Sequence, residues 1–119
     1  MKPTPSPFDQ LPMPLAKHAI PLDEVGVNNV AWSSDHAFEV LQHLRVMGYG
    51  VLGGDVYEYQ HGGLSLTYDN WSCDQNPGEP TSEYVRRSVA TATDYIRTHA
   101  SYRPTNCCYA MVLEPAGRD

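Results

Sequence analysis

Apolar and polar residues recur along the chain with two different periods, which predict where helices and strands lie. Between residues 33 and 48 the apolar positions follow helical spacing, with Ser33 or Ser34 as the N-cap and Gly48 as the C-terminal stop. The residues expected on the buried stripe are Ala37, Val40, Leu41, Leu44 and Met47. We therefore predict a first helix between these two signals.

A β-hairpin is predicted directly after this helix. Residues 50–59 are rich in β-branched and aromatic side chains, and residues 64–68 alternate with period two beyond a turn at residues 60–63. The adjacent Gly53 and Gly54 indicate a bulge or a close approach of another backbone. One face of this hairpin should be buried and the other should face water.

A second helix and a last strand complete the predicted order. The helix should begin near Thr81 or Ser82, with an apolar stripe formed by Val85, Val89, Ala92, Ile96 and His99. Residues 106–114 predict a strand with one apolar face, formed by Cys107, Tyr109, Met111 and Leu113. The order α-β-β-α-β is typical of an α+β fold. We expect a two-layer sandwich in which two helices cover one face of a small antiparallel sheet of three strands.

Proline distinguishes the first 21 residues from the rest of the chain. Six of the ten prolines lie between Pro3 and Pro21, where they block helical and ladder hydrogen bonds. We expect residues 1–21 to be an extended, partly disordered segment and residues 22–119 to form one α+β domain. No secretory signal or membrane-length apolar run is visible, so we expect a cytoplasmic protein that does not bind membranes.

The distribution of charge indicates the class of partner. Eight Lys and Arg against 14 Asp and Glu give a net charge of −6, which argues against nucleic acid as a partner. Between Val46 and Val85 there is no Lys or Arg, while six acids occur: Asp55, Glu58, Asp69, Asp74, Glu79 and Glu83. Such a segment could steer and hold a basic protein surface. Ordinary solubility is the alternative explanation.

Candidate catalytic chemistry is sparse in this sequence. It shows no metal-ligand spacing, nucleophile elbow or phosphate loop, so we predict neither a metal nor a cofactor. Asp55 and Asp69 could meet at one end of the hairpin near Trp71, where paired carboxylates could serve a glycosidase. They could equally cap loop amides or remain solvated, and we favour a structural or interface role.

Trp71 has two possible roles. It either fills the end of the core, with its indole N–H bonded to a loop carbonyl, or is an exposed anchor for a partner.

Two motifs on the hairpin carry a resemblance to a known family. The sequence V-L-G-G-D-V-Y occupies residues 51–57, and T-Y-D-N-W-S-C-D occupies residues 67–74. At this separation they resemble the bacterial polymorphic-toxin immunity proteins of the immunity protein 40 family, over about residues 22–113. Ser72 departs from the pattern, because we expect an aromatic residue after the tryptophan.

The resemblance implies a non-catalytic inhibitor that is made beside a toxin and binds its catalytic domain. We therefore expect a cognate toxin domain of basic character as the partner. The expected partner-binding residues are Asp55, Tyr57, Glu58, Asp69, Asn70, Trp71 and Asp74. Two alternatives stay open: a small carbohydrate-active or hydrolytic enzyme using paired aspartates, and a module that forms homodimers through exposed outer strands.

Overall fold

A single antiparallel sheet of five strands and two long helices form the α+β fold that the sequence predicts. The computed structural model describes residues 7–60, 62–102 and 106–114. The strands are β1 (Ile20–Pro21), β2 (Val30–Trp32), β3 (Gly50–Gln60), β4 (Gly63–Ser72) and β5 (Cys107–Glu114), in the sheet order β1-β2-β5-β3-β4. The helices are α1 (Met13–Ala16), α2 (Ser34–Met47) and α3 (Thr81–Tyr102), and 3₁₀ turns lie at Pro7–Gln10 and Asp23–Val25.

The sheet contains two strands more than the three that were predicted. β1 and β2 extend it at one edge, where Ile20 pairs with Ala31 and Ala31 pairs with Ala110 of β5. The two strands are two and three residues long. A period-two pattern needs at least about four residues to be recognised, so strands this short leave no signal in the sequence.

The two long helices cover one face of the sheet and enclose the main core. The predicted stripes are confirmed except at one end: Ala37, Val40, Leu41 and Leu44 of α2 and Val85, Val89, Ala92, Ile96 and His99 of α3 are buried, and Met47 is half-buried against the same core. The sheet contributes Trp32, Val51, Val56, Trp71, Tyr109 and Met111 to the same core. No helix among the described residues combines the length and apolar character that crossing a bilayer requires.

A second, smaller core lies on the opposite side of the sheet, which we call the outer face. Leu22 packs there against Tyr57, Leu64 and Ala110, and Val25 and Val27 surround them. The Glu24 carboxylate accepts a hydrogen bond from the N–H of Leu64 at 2.9 Å. The outer face is therefore covered at one end by residues 22–27, and it is not uniformly solvated as expected for a simple hairpin.

Residues 7–21 differ from the extended segment that the prolines predict. They form a 3₁₀ turn and α1, and Leu11 and Leu15 are buried in the main core. Pro12 and Pro14 lie at the start of α1, where a helix does not use the backbone N–H, so proline is tolerated. We call residues 7–21 the N-terminal strap; residues 1–6 lie outside the described part of the chain.

Candidate functional site

The hairpin β3–β4 carries six of the seven predicted partner-binding residues and divides them between the two faces of the sheet. Asp55 pairs with Asn70 across the hairpin and with Ala110 on its other side, and Tyr57 belongs to the outer cluster. Val56 and Trp71 belong to the main core. Because strand side chains alternate, Asp55, Tyr57 and Asn70 lie on the outer face, whereas Glu58, Asp69 and Trp71 lie on the helix side. Asp74 follows β4 in the loop to α3.

This division separates the two aspartates that were considered as a catalytic pair. Asp69 contacts His99 of α3, while Asp55 lies on the outer face beside Asn70. A glycosidase needs two carboxyl groups that flank one bond from opposite sides of a shared site, at about 5–10 Å. Here the sheet itself lies between them. The paired-aspartate interpretation is therefore wrong. Asn70 is the cross-strand partner of Asp55, and Asp69, which precedes Asn70 in β4, points to the opposite face.

Asp69 is the first member of a hydrogen-bonded chain that enters the core. Its Oδ2 lies 3.0 Å from Nε2 of His99, and Nδ1 of His99 lies 2.9 Å from the hydroxyl of Tyr109. His99 is 1% exposed, whereas the Asp69 side chain is 38% exposed. Burial raises the pKa of Tyr109 above its ordinary value of 10, so its hydroxyl is protonated at neutral pH. The chain thus links a partly exposed carboxylate to the middle of the molecule.

Sequence reasoning placed His99 on the α3 stripe without giving it a polar partner. The signal that could have revealed one is the residue type: a histidine on an otherwise apolar helix face must satisfy two ring nitrogens. Asp69 and Tyr109 do so from two different strands. The sequence does not indicate which strands those are.

Trp71 fills the end of the core, as one of its two predicted roles requires. It is 8% exposed and stacks on Tyr95 of α3, with ring centroids 4.8 Å apart. Its indole N–H has no hydrogen-bond partner within the described ranges, so the expected loop carbonyl is absent there. Trp71 and the equally buried Tyr57 therefore support the hairpin from inside and are not exposed on its surface.

The two glycines of β3 serve both purposes that were considered for them. The register against β5 shifts between Val51 and Gly53, which is the predicted bulge, and the N–H of Val51 donates to Oγ of Ser88 instead. A Cβ at Gly54 would lie 2.2 Å from Cη2 of Trp71. The glycines thus permit the close approach of Trp71 and the local break in the ladder.

A second bulge, which was not predicted, interrupts β4. Asp55 pairs with Asn70 and Tyr57 pairs with Leu66, so three residues of β4 lie opposite the single residue Val56. The middle residue of the three is Tyr68, which has a left-handed φ of 72° and is 80% exposed. The regular alternation of residues 64–68 gave no sign of this bulge, because it begins inside that run.

Three hydrogen bonds fix the conformation of this bulge. The hydroxyl of Thr67 donates to the carbonyl of Val56 at 3.0 Å and accepts from the N–H of Asp69 at 3.1 Å. The side-chain amide of Asn70 donates to the carbonyl of Tyr68 at 3.0 Å. Together with the contact between Asp69 and His99, they fix the backbone before and after Tyr68.

The loop between β4 and α3 is organised around one arginine. The guanidinium of Arg87 binds both carboxylate oxygens of Glu79 at 2.8 Å and donates to the carbonyl of Asp74 at 2.7 Å. This hydrogen bonding, together with the N–H of Asn76, lowers the pKa of Glu79 to about 2. The hydroxyl of Tyr84 donates to the carbonyl of Cys73 at 2.7 Å.

The acidic residues between Val46 and Val85 are partly neutralised by contacts within the molecule. Of the six acids, Glu79 pairs with Arg87, Glu83 pairs with Arg86, and Asp69 contacts His99. Glu58 is half-buried, whereas Asp74 is exposed and Asp55 lines the outer face. Three of the six carboxylates therefore contact an Arg or His side chain within the molecule.

A shallow groove of about 250 Å³ crosses the uncovered part of the outer face. Asp55 and Asn70 contribute its polar groups, and Leu52 and the half-exposed Val112 contribute its apolar groups. The backbone of Gly53 and Gly54 also lines it. Within residues 7–60, 62–102 and 106–114, no trio of His, Cys, Asp or Glu side chains is placed to hold a metal ion.

The chain was compared with protein-family models, curated proteins and solved structures. A family model described as Immunity protein 40 matches residues 21–113, a stretch that contains both long helices and the hairpin. A search of curated proteins and a search of solved structures each gave no significant match. The family model covers well over half of the 119 residues. The chain therefore belongs to the Immunity protein 40 family.

Proposed function

We propose that this immunity protein acts without catalysis, by binding and neutralising a cognate bacterial toxin domain. The contact surface is the uncovered outer face of the hairpin together with the β4–α3 loop. Membership of the Immunity protein 40 family is the observation that carries the proposal. The groove beside Asp55 and Asn70 supports the location, because it is a concave site with both apolar and polar groups on its rim.

The predicted contact residues take different parts in this proposal. Asp55, Asn70 and Asp74 provide the direct polar contacts, because Asn70 and Asp74 are exposed and the half-buried Asp55 lines the groove. Glu58 is half-buried and contributes at the margin of the surface, whereas the half-buried Asp69 positions β4 through its contact with His99. Tyr57 and Trp71 are buried and act from beneath it, by fixing the two strands on which the contacts lie.

The toxin surface that fits this site is basic. No Lys or Arg occurs between Val46 and Val85, so the hairpin itself carries acidic side chains and no Lys or Arg, and Arg87 enters the adjoining loop from α3. Opposite charges accelerate association, which favours an inhibitor that must bind its toxin before the toxin acts. Neutralisation then follows from covering or distorting the active site of the toxin.

Co-expression with the toxin encoded by the neighbouring gene tests this proposal. We expect the wild-type protein to protect cells, and we expect Asp55→Lys and Asp74→Lys each to weaken toxin binding about tenfold by placing a cation against a basic surface. Both variants should keep the wild-type melting temperature, because Asp74 is exposed and Asp55 borders an open groove. Asp69→Lys is a poorer test, since the new cation would face the buried His99.

Glu39→Lys is the matched control, because it makes the same charge change on an exposed position of α2. It should bind the toxin as the wild type does. If the wild-type protein gives no protection, the proposed function is wrong. If all three charge reversals weaken binding equally, the effect is one of net charge, and the assignment of the surface is wrong.

A further inference from the structure

The geometry of the β4 bulge points to one residue as the centre of the binding surface. We infer that Tyr68 is the anchor by which this protein engages its toxin, inserting its phenol ring into an apolar pocket that is rimmed by Lys or Arg. The inference rests on the proposed function and adds to it a specific residue and the chemistry of the complementary site.

The conformation of Tyr68 is the first observation. A φ of 72° places an L-residue in the left-handed region, where Cβ is close to the backbone and where glycine or asparagine is usually found. The chain uses glycine in this region at Gly62 and Gly78, where φ is 82° and 78°. A tyrosine adopts this backbone conformation at a greater cost in free energy than glycine does. The geometry of the bulge therefore does not explain why a tyrosine occupies this position.

The exposure of Tyr68 is the second observation. Its side chain is 80% exposed, although moving an aromatic ring out of water lowers the free energy. The adjacent Trp71 and Tyr95 are packed against each other, so the hairpin does have a way to cover aromatic rings. Tyrosine is among the residues that most often dominate the binding energy of protein interfaces.

The surrounding hydrogen bonds make this side chain a pre-organised anchor. Thr67 fixes the entry to the bulge, Asp69 fixes its exit through His99, and the Asn70 amide holds the carbonyl of Tyr68. A side chain whose backbone is already fixed loses little conformational entropy on binding. Backbone strain that is held in this way by its surroundings is common at functional sites.

The neighbourhood indicates the chemistry of the partner. The side chain of Asn70, which lines the groove beside Asp55, donates to the carbonyl of Tyr68, so the backbone of Tyr68 lies at the edge of this groove. Asp55 is the carboxylate that lines this groove, and no Lys or Arg occurs in the hairpin sequence. A phenol beside a carboxylate fits an apolar pocket with cations at its rim, which is the basic toxin surface proposed above.

Binding of the purified toxin domain, encoded by the neighbouring gene, tests this inference by titration calorimetry. Tyr68→Ala should weaken binding at least about 30-fold, the loss expected for an interface hot spot. Tyr68→Gly should weaken binding as much and yet raise the melting temperature, because glycine adopts this φ without strain. A residue with only a structural role would not lose affinity while it gains stability.

Tyr59→Ala is the matched control. Tyr59 is also an exposed tyrosine of this hairpin, 43% exposed, and it lies near the turn and away from the bulge. Its replacement should change the dissociation constant by less than about twofold, within the range of a neutral interface position.

Asp69 is a positioning residue in this scheme, and a double-mutant cycle tests that role. Asp69→Ala should weaken binding in the wild-type background, and Asp69→Asn, which keeps an acceptor for His99, should restore most of the affinity. In the Tyr68→Gly background, Asp69→Ala should have no further effect. Additive losses would mean that Asp69 contacts the toxin directly and would overturn the positioning role.

The outcomes separate this inference from the proposed function. If the wild-type protein binds the toxin and Tyr68→Ala binds equally well, the anchor is wrong and the proposed function stands. If the wild-type protein does not bind, both are wrong. If the isolated protein is a dimer that Tyr68→Ala dissociates, the ring binds a second copy of this chain, and the inference is overturned.

Discussion

At the scale of single residues, Gly54 determines how closely the hairpin and α3 can approach. The ring of Trp71 occupies the position that a side chain at Gly54 would take, and the carbonyl of Ala110 lies equally close. Trp71 in turn stacks on Tyr95 of α3. The absence of one methyl group thus permits a contact between the hairpin and the helix layer.

Gly54→Ala should therefore destabilise the fold by about 3 kcal/mol, because its methyl group would collide with a ring and a backbone oxygen that are both confined. The near-ultraviolet circular dichroism of the tryptophans should change as well. Urea unfolding measures the free energy.

Gly78→Ala is the control for this substitution, since the site has open space around it and a φ of 78°. Gly78→Ala should lower the free energy of unfolding by only about 1 kcal/mol, because of backbone strain, and should leave the near-ultraviolet spectrum unchanged. Equal effects of the two substitutions would contradict the packing described for Trp71.

At the scale of elements, the β4–α3 loop is stabilised by an ion pair that depends on pH. Glu79 has a pKa of about 2 in the folded protein and an ordinary value of 4.5. The folded state therefore binds fewer protons than the unfolded state between these values. The stabilisation is complete above pH 4.5 and is lost as the pH falls toward 2.

Glu79→Gln should reduce the loss of stability that the wild type shows between pH 4.5 and pH 2, and it should lower the stability at pH 7. Unfolding by urea at a series of pH values measures both effects. Glu83→Gln is the control, because Glu83 forms an exposed pair with Arg86. Identical pH profiles for the wild type and Glu79→Gln would contradict the role of this ion pair.

The N-terminal strap is a second element whose contribution can be measured. Leu15 is buried in the main core, although it lies in a proline-rich segment. Leu15→Ala should cost about 2–5 kcal/mol of stability, as expected for a buried leucine, when the free energy of unfolding is measured with urea.

Met13→Ala in the same short helix is the control for the strap, because Met13 is exposed. It should leave the stability nearly unchanged. If Leu15→Ala were equally harmless, the strap would contribute nothing to the core, and the extended segment predicted from its prolines would describe it better.

The elements differ in how well the sequence predicted them, for a physical reason. The stripes of α2 and α3 repeat over several turns, so their periodicity identifies both the helices and their buried faces. β1, β2 and the strap are short, and they are held by contacts with distant residues such as the pairing of Ala31 with Ala110. Long-range contacts of this kind leave no local pattern.

The candidate site shows the same limit. The motifs on the hairpin indicated the family, and they lie on the two strands of the proposed contact surface. They did not show the bulge at residues 67–69, which brings Asn70 instead of Tyr68 opposite Asp55. They also did not reveal the contact of Asp69 with His99, which joins residues 30 positions apart in the chain.

At the scale of the whole molecule, the two sides of the sheet differ in how far they are covered. The helix side contains the main core, with Asp69, His99 and Tyr109 connected inside it. The outer face is covered at one end by residues 22–27 and uncovered around the groove. The charge reversals at Asp55 and Asp74 test this division, because they should change toxin binding without changing the core.

The bulge at Tyr68 has a further consequence for the solubility of the protein. β4 forms an edge of the sheet, and an uninterrupted edge of ten residues would be a template for strands of other molecules. The bulge divides this edge into a segment at residues 63–66 and a segment at residues 70–72, each shorter than the roughly five or six residues of a common strand. The same three residues that display the tyrosine therefore also oppose edge-to-edge aggregation.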